Sequence, residues 1–516
     1  MVVDERWSEL GGAAALMDLD GIEFRAYQLN VVKSIIKHGN TLVVLPTGLG
    51  KTFVGTAIMA KALSQGKKAM LLAPTKPLSE QHYDVLTKML KVPASDILLL
   101  TGSLKKGDRV ALEKTAKVII ATPQTVSNDL KSSMFSMDEF GAVIFDECHR
   151  ATGKYAYTYI ANECSVRDIV VVGLTASPGS KREKINALVK TLNINHIEAR
   201  IATDSDVAKY VMQKNIHVIG VDLTPRIQEI AELLKPEIRS ALTTINNMGF
   251  FHFKDFEYIP KGRLIDLGNQ LNKIEATNYR MGAMVAYSKL INLMHSYDLL
   301  MTEGIYPFSM YVESLYAREK KSRSLESLLK TTSILLARGA AQAALKNGEE
   351  HPKVFAVLDV LRDYRTRKAI VFAQYRSTVK MLVEFINNNG FKASAFIGKK
   401  EGITQEQQKS VIRDFRDGKF NILVASSIGE EGIDIPGVDA VVFYEPIPNE
   451  IRNIQRRGRT GRFNTGEIYI ISANGTKDQI YLRISEQKEM KMLNLIHDVN
   501  SRLERENAKV GQSTLK

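Results

Sequence analysis

The sequence predicts an α/β protein in which two parallel-sheet domains stand in tandem around an inserted α-helical domain. Residues 20–205 and 352–475 alternate short apolar runs of strand type with segments of helical periodicity. This alternation is typical of a parallel sheet with helices on both faces. Residues 224–350 carry helical periodicity and almost no strand pattern. We therefore predict a first α/β domain at 1–205, a helical domain at 224–350 and a second α/β domain at 351–500.

The first domain contains six candidate strands, each of which is a short apolar run. Helical patterns, such as those at Val54–Ser64 and Leu78–Leu90, separate most of these runs. The strands are predicted at Thr41–Leu45, Ala69–Ala73, Ile97–Thr101, Val118–Ala121, Ala142–Phe145 and Ile169–Leu174.

The middle of the chain is predicted to be helical because its apolar residues recur at the spacing of one helix face. We interpret the whole region as one inserted domain. The helical segments are Arg226–Leu234, Leu264–Glu275, Met281–Leu300, Val312–Ala317 and Leu325–Ala344.

The second α/β domain repeats the pattern of the first, again with short apolar runs between helical segments. The polar tail from Ser501 onward is predicted to be frayed. The strands are predicted at Ala369–Ala373, Ala393–Phe396, Ile422–Ala425, Ala440–Tyr444 and Glu467–Ser472.

A phosphate-binding loop is predicted directly after the first strand, where the sequence is Pro-Thr-Gly-Leu-Gly-Lys-Thr at 46–52. Gly48 and Gly50 permit a tight turn that points backbone N–H groups at phosphate oxygens. The following helix adds its positive N-terminal end. Lys51 is placed to reach the β- and γ-phosphates, and the hydroxyl of Thr52 is placed to bind Mg²⁺.

An acidic pair follows another strand of the first domain and supplies the second half of a nucleotide site. Asp146 and Glu147 come directly after the apolar run Val143–Phe145. Open α/β sheets bind their ligands at this end of the strands. Asp146 is predicted to hold Mg²⁺ through water, and Glu147 to polarise the water that attacks the γ-phosphate. Such a pair alone is usually a solvated loop, but the phosphate loop makes the catalytic interpretation the better one.

The second domain carries an arginine-rich segment, Gln455–Arg462. Arg459 and Arg462 are three residues apart, so both reach one face if the segment is helical. Arginines from a neighbouring domain stabilise charge on a transferring phosphoryl group. The alternative is a generic anion-binding patch. The glycine- and acid-rich stretch 426–436 would, taken alone, be an ordinary surface loop.

The composition agrees with a large globular enzyme. The chain has 516 residues, 44% hydrophobic and 25% charged, which is ordinary for a protein of two to four domains. The net charge of +13 and the isoelectric point near 9.3 favour a polyanionic partner without identifying one. Only Cys148 and Cys164 occur, so no disulfide framework is expected. There is no signal-peptide pattern and no apolar run long enough to span a membrane.

The chain resembles the superfamily 2 helicases, which contain two RecA-like domains. Its matching stretches follow the order of that family's motifs along the sequence. They are Phe24–Gln28 for the adenine motif, Pro46–Thr52 for motif I, Ala73–Leu78 for motif Ia, Ala121–Thr125 for motif Ib, Asp146–His149 for motif II, Leu174–Ser177 for motif III, Val371–Arg376 for motif IV, Gly429–Pro436 for motif V and Gln455–Arg462 for motif VI.

Within that superfamily, the Asp-Glu-Cys-His sequence at 146–149 and the long helical insert resemble the group of archaeal Hef and the Fanconi anaemia group M (FANCM) translocase. Members of that group remodel branched DNA such as stalled forks. The resemblance therefore implies an ATP-dependent DNA helicase or translocase that acts on branched or forked DNA in replication-fork repair. Hef-type proteins often continue into a nuclease domain with an ERKxxxD motif. That motif is absent from this sequence, so nuclease activity is not expected.

The resemblance implies that ATP and Mg²⁺ bind between the two α/β domains, with Gln28 contacting adenine. The expected catalytic residues are Lys51, Asp146, Glu147, Gln455, Arg459 and Arg462. Thr52 and Asp146 are the expected Mg²⁺ residues, the latter through water. The residues expected to bind the nucleotide are Arg25, Gln28, Pro46, Thr47, Gly48, Leu49, Gly50, Lys51, Thr52, Gly432 and Asp434.

Nucleic acid is expected to cross both α/β domains and to be held by its phosphate backbone, which gives affinity without sequence specificity. The helical insert is expected to grip duplex or to recognise a branch. His149, Thr175 and Ser177 are expected to couple the nucleotide state to nucleic-acid binding. The residues that match the family's nucleic-acid contacts are Thr75, Lys76, Thr122, Gln374, Arg376 and Ser426.

Two alternatives stay open at this point. The first is an RNA-directed enzyme of the same architecture, such as a duplex RNA translocase or sensor, because backbone contacts do not separate DNA from RNA. The second is a non-catalytic scaffold that binds nucleic acid and only senses ATP. The presence of Lys51, Asp146, Glu147, Arg459 and Arg462 argues against the scaffold.

The expected surroundings follow from the same observations. A reducing, cytoplasmic location is expected from the two cysteines and the missing signal peptide. We expect a monomeric helicase core without a membrane partner. A replication clamp is a possible partner by resemblance, although the sequence contains no convincing docking motif.

Overall fold

The computed structural model describes residues 5–46, 48–102, 104, 106–153, 155–200, 204–210, 214–275, 277–365, 367–398, 404–426, 437–446 and 466–513. Its first part alternates helices and strands as the apolar pattern predicts. The elements in chain order are α1 (Gly12–Ala15), α2 (Ala26–His38), β1 (Thr41–Val44), α3 (Lys51–Ser64), β2 (Lys68–Leu72), α4 (Lys76–Met89), β3 (Ile97–Leu100), α5 (Lys106–Thr115), β4 (Val118–Ala121), α6 (Pro123–Lys131), β5 (Phe140–Phe145), α7 (Ala156–Ser165), β6 (Val170–Thr175), α8 (Arg182–Thr191) and β7 (His196–Ala199).

The strands of the first domain form one parallel sheet in the order β3-β4-β2-β5-β6-β1-β7. Most of their residues are buried, because helices cover both faces of the sheet. All six predicted strands are present. The additional strand β7 has the sequence His-Ile-Glu-Ala, which is too polar and too short to stand out as an apolar run.

The remaining part of the chain begins with a strand, continues through seven helices and then returns to a mixture of strands and helices. These elements are β8 (Lys214–Val221), α9 (Pro225–Asn247), α10 (Lys261–Lys273), α11 (Asn278–Thr302), α12 (Ile305–Tyr316), α13 (Arg323–Leu329), α14 (Thr332–Lys346), α15 (Pro352–Arg362), β9 (Ala369–Ala373), α16 (Arg376–Asn388), β10 (Ala393–Phe396), α17 (Gln405–Arg416), β11 (Ile422–Ser426), β12 (Ala440–Phe443), β13 (Gly466–Ala473) and α18 (Lys477–Ser513).

The second sheet is also parallel and has the strand order β10-β11-β9-β12-β13-β8. Its five predicted strands are present. The strand β8 was not predicted, and it pairs with β13 along its whole length. Because β8 precedes α9 in the chain, the helical region is inserted within the second α/β domain and does not simply separate the two domains. The second domain therefore takes in residues that lie before the predicted boundary at 351.

The helical insert, α9 to α14, has a hydrophobic core of its own. Its connection to the second domain includes buried polar contacts. The Lys353 ammonium is 0% exposed, forms an ion pair with Asp478 and donates a 2.7 Å hydrogen bond to the Thr302 carbonyl. Beside it, Thr378 donates a 2.9 Å hydrogen bond to the Glu303 carboxylate. These contacts fix the turn between α11 and α12 against the second sheet.

The last helix, α18, starts in the second domain and ends on the first. Its residues Met492, Ile496, Val499 and Leu503 are buried in the core of the first domain. The predicted frayed tail is therefore wrong for the described residues after Ser501, because the helix continues to Ser513. None of the helices in the described ranges is both long enough and apolar enough to cross a membrane.

Candidate functional site

The strand ends that carry the predicted motifs lie along one edge of the first sheet. Every pair in that sheet is parallel, so the carboxyl ends of its strands share this edge. Lys51 follows β1, Asp146 follows β5, and Thr175 ends the intervening strand β6. The Leu45 N–H donates a 3.1 Å hydrogen bond to the Thr175 carbonyl, which joins the start of the phosphate loop to β6. Motifs I, II and III therefore lie side by side.

The phosphate loop adopts the backbone that the glycine pattern predicts. Gly48 and Gly50 have φ values of 91° and 74°, in the region that favours glycine. Helix α3 begins at Lys51, so Lys51 and Thr52 form its first turn. The first N–H groups of an α-helix have no partner within the helix, so they are available to a ligand at the loop. Together these features are those of a helix start that can bind an anion, and phosphate binding at this loop stays a prediction.

Lys51 lies close to both acidic residues of motif II. Its ammonium donates a 3.0 Å hydrogen bond to the Leu45 carbonyl. Burial lowers the pKa of Lys51, and the nearby charges of Glu147 and Asp146 act in the opposite direction. A partly buried lysine near two carboxylates is the charge arrangement expected where phosphate and a divalent cation bind.

The adenine motif packs against the phosphate loop. The Tyr27 hydroxyl donates a 2.7 Å hydrogen bond to the Leu49 carbonyl, and the Gln28 amide donates a 3.2 Å bond to the same oxygen. Arg25 forms an ion pair with Glu23 at 3.1 Å. Gln28 thus supports the loop, and its contact with adenine stays a prediction.

Asp146 is held by partners on three sides. The His82 Nε2 lies 2.7 Å from its Oδ2, the Tyr157 hydroxyl lies 2.6 Å from its carbonyl oxygen, and its N–H donates to the Leu72 carbonyl at 2.9 Å. Burial raises the pKa of the Asp146 carboxyl, but the His82 hydrogen bond and the charges of His82 and Lys51 lower it by more. The carboxylate is therefore ionised at neutral pH, as a metal-binding carboxylate must be.

Glu147 occupies an unusual backbone conformation. Its φ of 49° lies in the left-handed region, which non-glycine residues rarely adopt. The His149 Nδ1 lies 3.3 Å from the Glu147 Oε2 and 3.1 Å from the Thr175 hydroxyl. Burial lowers the pKa of His149 to about 4, so the imidazole is neutral at pH 7. Strain of this kind persists at functional sites where surrounding contacts maintain it.

The structure also gives motif III a partner that lies far along the chain. Thr175 and Ser177 close a local turn through a 3.1 Å hydrogen bond from the Ser177 N–H to the Thr175 hydroxyl. The Ser177 hydroxyl donates to the Met492 sulfur of α18 at 2.8 Å. His149 and Thr175 thus connect motifs II and III, while Ser177 connects motif III to the last helix. Their coupling role stays a prediction.

The nucleic-acid candidates of the first domain lie at the same sheet edge, beyond β5. Thr75 and Thr122 follow β2 and β4, which are neighbours in the sheet. Thr75 caps α4 by accepting a 3.4 Å hydrogen bond from the Leu78 N–H, and Lys76 is exposed. The Thr122 hydroxyl lies 2.9 Å from that of Thr125. Both threonines have structural roles, and their contact with nucleic acid stays a prediction.

The candidates of the second domain follow β9 and β11, which are also neighbours. Gln374 is exposed. Arg376 starts α16 and donates a 3.2 Å hydrogen bond to the Gly398 carbonyl. Ser426 ends β11 and is 2% exposed. Gln374, Arg376 and Ser426 therefore lie at the carboxyl edge of the second sheet. Their contact with nucleic acid stays a prediction.

Several predicted site residues fall outside the described ranges. They include the arginine-rich segment and the loop that precedes it. The residues are Thr47, Gly432, Asp434, Gln455, Arg459 and Arg462.

The described residues fit ATP with Mg²⁺. The loop offers backbone N–H groups and Lys51 for phosphate, and Thr52 and Asp146 offer the oxygen donors that Mg²⁺ prefers. Mg²⁺ held by Thr52 and Asp146 would neutralise charge that develops on the transferring phosphate. Within the described part of the chain there is no cluster of three or more His, Cys, Asp or Glu residues suited to a protein-only metal centre. The Thr52 hydroxyl and the Asp146 carboxylate offer few donors, so they suit a metal that also binds phosphate oxygens.

Three residues that contact the site are not predictable from the motifs: His82, Tyr157 and Met492. Each contacts a motif from a position outside the motifs. A lone histidine in a helical pattern is more often a core residue than a functional one. Only the arrangement of α4, α7 and α18 around β5 and β6 brings these side chains to Asp146 and Ser177.

Two family models match the chain, one in each α/β domain. Residues 21–180 match the model described as "Type III restriction enzyme, res subunit". Residues 352–464 match the "Helicase conserved C-terminal domain". The two matches cover the two halves of the predicted nucleotide site.

Curated relatives match most of this chain. A Methanocaldococcus jannaschii protein described as an ATP-dependent RNA helicase is 35% identical over 93% of the chain. The Arabidopsis thaliana "DEAD-box ATP-dependent RNA helicase FANCM" is 31% identical over 90% of it. The Neurospora crassa "ATP-dependent DNA helicase mph1" is 30% identical over 88% of it. The chain spans 62%, 36% and 41% of the length of these three relatives.

A solved structure resembles this chain in both fold and sequence. The crystal structure of the Pyrococcus furiosus Hef helicase domain is 36% identical, with a TM-score of 0.71. The match covers 91% of this chain and 100% of that domain. With its two parallel-sheet domains, helical insert and adjacent motifs I, II and III, the chain belongs to the Hef/FANCM-like group of superfamily 2 helicases.

Proposed function

We propose that this chain is an ATP-dependent DNA helicase or translocase that acts on branched or forked DNA during replication-fork repair. The observation that carries the ATPase part is the convergence of Lys51, Asp146 and Glu147 at one sheet edge, in a family of helicases. Relatives named as ATP-dependent DNA helicases support DNA as the polymer. The choice of branched DNA rests on the resemblance to the Hef group.

In this proposal each residue of the site has a separate role in ATP hydrolysis. Lys51 and the loop N–H groups hold the phosphates, while Glu147 accepts hydrogen bonds from the attacking water and orients it. Asp146 and Thr52 orient the metal-bound phosphates. The arginines Arg459 and Arg462 are proposed to complete the site from the second domain, so that hydrolysis requires the domains to close.

The test is steady-state ATP hydrolysis with no nucleic acid, single-stranded DNA, linear duplex DNA, forked DNA and duplex RNA. We expect forked DNA to stimulate hydrolysis most. Glu147→Gln removes the base but keeps the shape of the side chain, so turnover should fall at least about 100-fold while ATP binding remains. Unchanged turnover in this variant would remove Glu147 from the mechanism and revive the scaffold alternative.

A second candidate is an RNA-directed enzyme, favoured by the Methanocaldococcus jannaschii and Arabidopsis thaliana relatives, which are described as RNA helicases. The same panel separates the two candidates. Strongest stimulation by duplex RNA would favour this candidate over the DNA enzyme. A replication clamp as partner is part of the fork-repair proposal, and a pull-down with a purified clamp would test it.

A further inference from the structure

Helix α4 contacts three places that the proposed function must coordinate: the nucleic-acid edge, the second domain and the metal-holding carboxylate. We propose that His82 is a positioning residue for Asp146 and that α4 relays nucleic-acid binding to the nucleotide site through it. This inference rests on the proposed function, because it assigns residues to the coupling that a nucleic-acid-stimulated ATPase needs. His82 lies outside the motifs of the family resemblance.

The His82–Asp146 contact has the geometry of a positioning hydrogen bond. Its Nε2–Oδ2 distance is 2.7 Å, and both residues are only 6% exposed. An ionised carboxylate can only accept hydrogen bonds, so the Nε2–H of His82 is the donor. A short bond between a histidine and a buried carboxylate holds the carboxylate in one rotation about its side-chain torsions.

The side-chain rotation is the freedom that His82 controls, because other groups already hold the Asp146 backbone. The Asp146 N–H donates to the Leu72 carbonyl at 2.9 Å, which continues the ladder between β2 and β5. The Tyr157 hydroxyl lies 2.6 Å from the Asp146 carbonyl oxygen and 3.0 Å from that of Leu72. Because the Tyr157 hydroxyl contacts the carbonyl oxygens of Leu72 and Asp146, the backbone is already held in place. The His82 hydrogen bond therefore determines the direction of the Asp146 carboxylate oxygens.

The N-terminal end of α4 lies at the predicted nucleic-acid edge. Thr75 caps the helix, and Lys76 is its exposed first residue. His82 follows Lys76 by six residues, which is about 9 Å along the axis of an α-helix. A helix of this length moves as a rigid body, so a displacement at its first turn reaches the Asp146 contact.

The same helix also contacts the second domain. Glu80 of α4 lies 3.1 Å from the Lys409 ammonium of α17 and 3.9 Å from Lys76. Exposed ion pairs contribute little energy, so this contact can form and break as the domains move. Nucleic acid that bridges both domains would act on α4 directly at Lys76. It would also act on α4 through the second domain, because Lys409 contacts Glu80. This places His82 where strand binding and the metal-holding carboxylate meet.

The first experiment compares His82→Leu, which removes the donor, with His82→Gln, whose amide can still donate. Asp84→Asn, at an exposed position of the same helix, is the matched control. The readout is binding of a fluorescent, non-hydrolysable ATP analogue across a Mg²⁺ titration and, separately, in EDTA. Removing hydrogen-bond partners of metal-holding groups typically costs about 10- to 100-fold in metal affinity.

For His82→Leu we expect the Mg²⁺ concentration at half-maximal analogue binding to rise about 10-fold or more, with affinity in EDTA unchanged. His82→Gln should stay within about 3-fold of the unmodified protein, and Asp84→Asn should match it. A normal Mg²⁺ requirement in His82→Leu would overturn the proposal. So would equal loss in His82→Leu and His82→Gln together with lost binding in EDTA, because that pattern means a general packing defect.

The relay is tested by repeating the titration with saturating forked DNA. We expect DNA to lower the Mg²⁺ requirement of the unmodified protein but not that of His82→Leu. An equal effect of DNA on both proteins would overturn the relay. If no polymer stimulates hydrolysis by the unmodified protein, the proposed function fails, whereas the Mg²⁺ titration without DNA still decides the role of His82.

Discussion

At the scale of single residues, the described half of the nucleotide site depends on backbone conformations that few side chains permit. Gly48 and Gly50 turn the loop with positive φ values, and Glu147 holds a φ of 49° without the freedom of glycine. A non-glycine residue in such a region costs about 1–3 kcal/mol. The Glu147 side chain lies beside His149, whose Nδ1 is 3.3 Å from the Glu147 Oε2.

Gly50→Ala tests how strictly the loop requires glycine. The φ of 74° strains any side chain, and a Cβ at this position would lie 2.2 Å from the Gln28 Nε2. Gln28 would have to leave the Leu49 carbonyl, so both the loop and its support change. We expect nucleotide binding to weaken at least about 10-fold, as measured with a fluorescent ATP analogue.

The matched control for that prediction is Gly66→Ala. Gly66 has a nearly identical φ of 75°, but no atom lies within 4 Å of a Cβ built on it. It should lose about 1–2 kcal/mol of stability through backbone strain alone and keep normal nucleotide binding. Equal binding by Gly50→Ala and Gly66→Ala would contradict a specific role for the Gly50–Gln28 contact.

At the scale of elements, α18 joins the two α/β domains. Its buried residues Met492, Ile496, Val499 and Leu503 recur at the spacing of one helix face and pack into the first domain. Polar contacts accompany them: Arg182 pairs with Asp498 at 2.6 Å, and the Ile197 N–H donates to the Asn500 side chain at 2.8 Å. The helix therefore ties β7 and α8 to the second domain.

Ile496→Ala should loosen this attachment. The side chain is 1% exposed, and removing a buried isoleucine typically costs about 2–5 kcal/mol. We expect faster hydrogen exchange in α18 and β7, because the amides there are protected by this packing. Asn494→Ala, at an exposed position on the same helix, should change stability by less than about 0.5 kcal/mol. Unaltered exchange in Ile496→Ala would show that α18 is not held through this face.

At the scale of the whole molecule, a buried charged cluster joins the helical insert to the second domain. Lys353, Glu303 and Asp478 are each at most 1% exposed, and they come from the start of α15, the α11–α12 turn and the first turn of α18. Burial raises the pKa of Glu303 to about 7, and the charge of Lys353 opposes that shift. The lysine thus allows two carboxyl groups to share one buried space.

Lys353→Met should destabilise this junction by about 3–5 kcal/mol, because it leaves two buried carboxyl groups without their cation. The pKa values of both carboxyls would rise further, and a raised folded-state pKa means that stability is lost as pH increases through it. The loss should therefore be larger at pH 8 than at pH 6. Thermal unfolding at both pH values measures this loss of stability, and hydrogen exchange of α12 shows whether the junction has loosened.

The control is Lys380→Met, at an exposed position on α16, which should be nearly neutral at both pH values. Adding Asp478→Asn to Lys353→Met should recover part of the loss, since one of the unpaired charges is then removed. A Lys353→Met protein with normal stability at pH 8 would mean that the cluster does not hold the insert.

Much of the fold was predictable because local patterns are strong in this chain. All predicted strands are present, since fully buried parallel strands must be apolar runs. The strands β7 and β8 were missed because edge strands need fewer apolar residues. In β8, the sequence Lys-Asn-Ile-His-Val-Ile-Gly-Val has no regular apolar pattern, and the strand forms by pairing with β13. Because β8 belongs to the second sheet, the second α/β domain includes residues on both sides of the helical insert.

The candidate site was predictable where its chemistry is local in the chain. Lys51, Thr52, Asp146 and Glu147 belong to short motifs, because a phosphate loop and a strand end need a specific local geometry. His82, Tyr157 and Met492 were not predictable, because each acts on a motif from another element. The predicted roles of Arg459 and Arg462 lie outside the described residues and stay predictions.

The sequence by itself therefore determined the fold class, the fully buried strands and the motifs of the candidate nucleotide site, since these depend on local backbone preferences and apolar periodicity. The tertiary structure alone decided that β8 joins the second sheet, that α18 returns to the first domain, and that His82 and Lys353 sit beside buried carboxylates. Contacts between residues far apart in the chain depend on how elements pack, and a hydrogen bond or an ion pair leaves no periodic signal in the sequence.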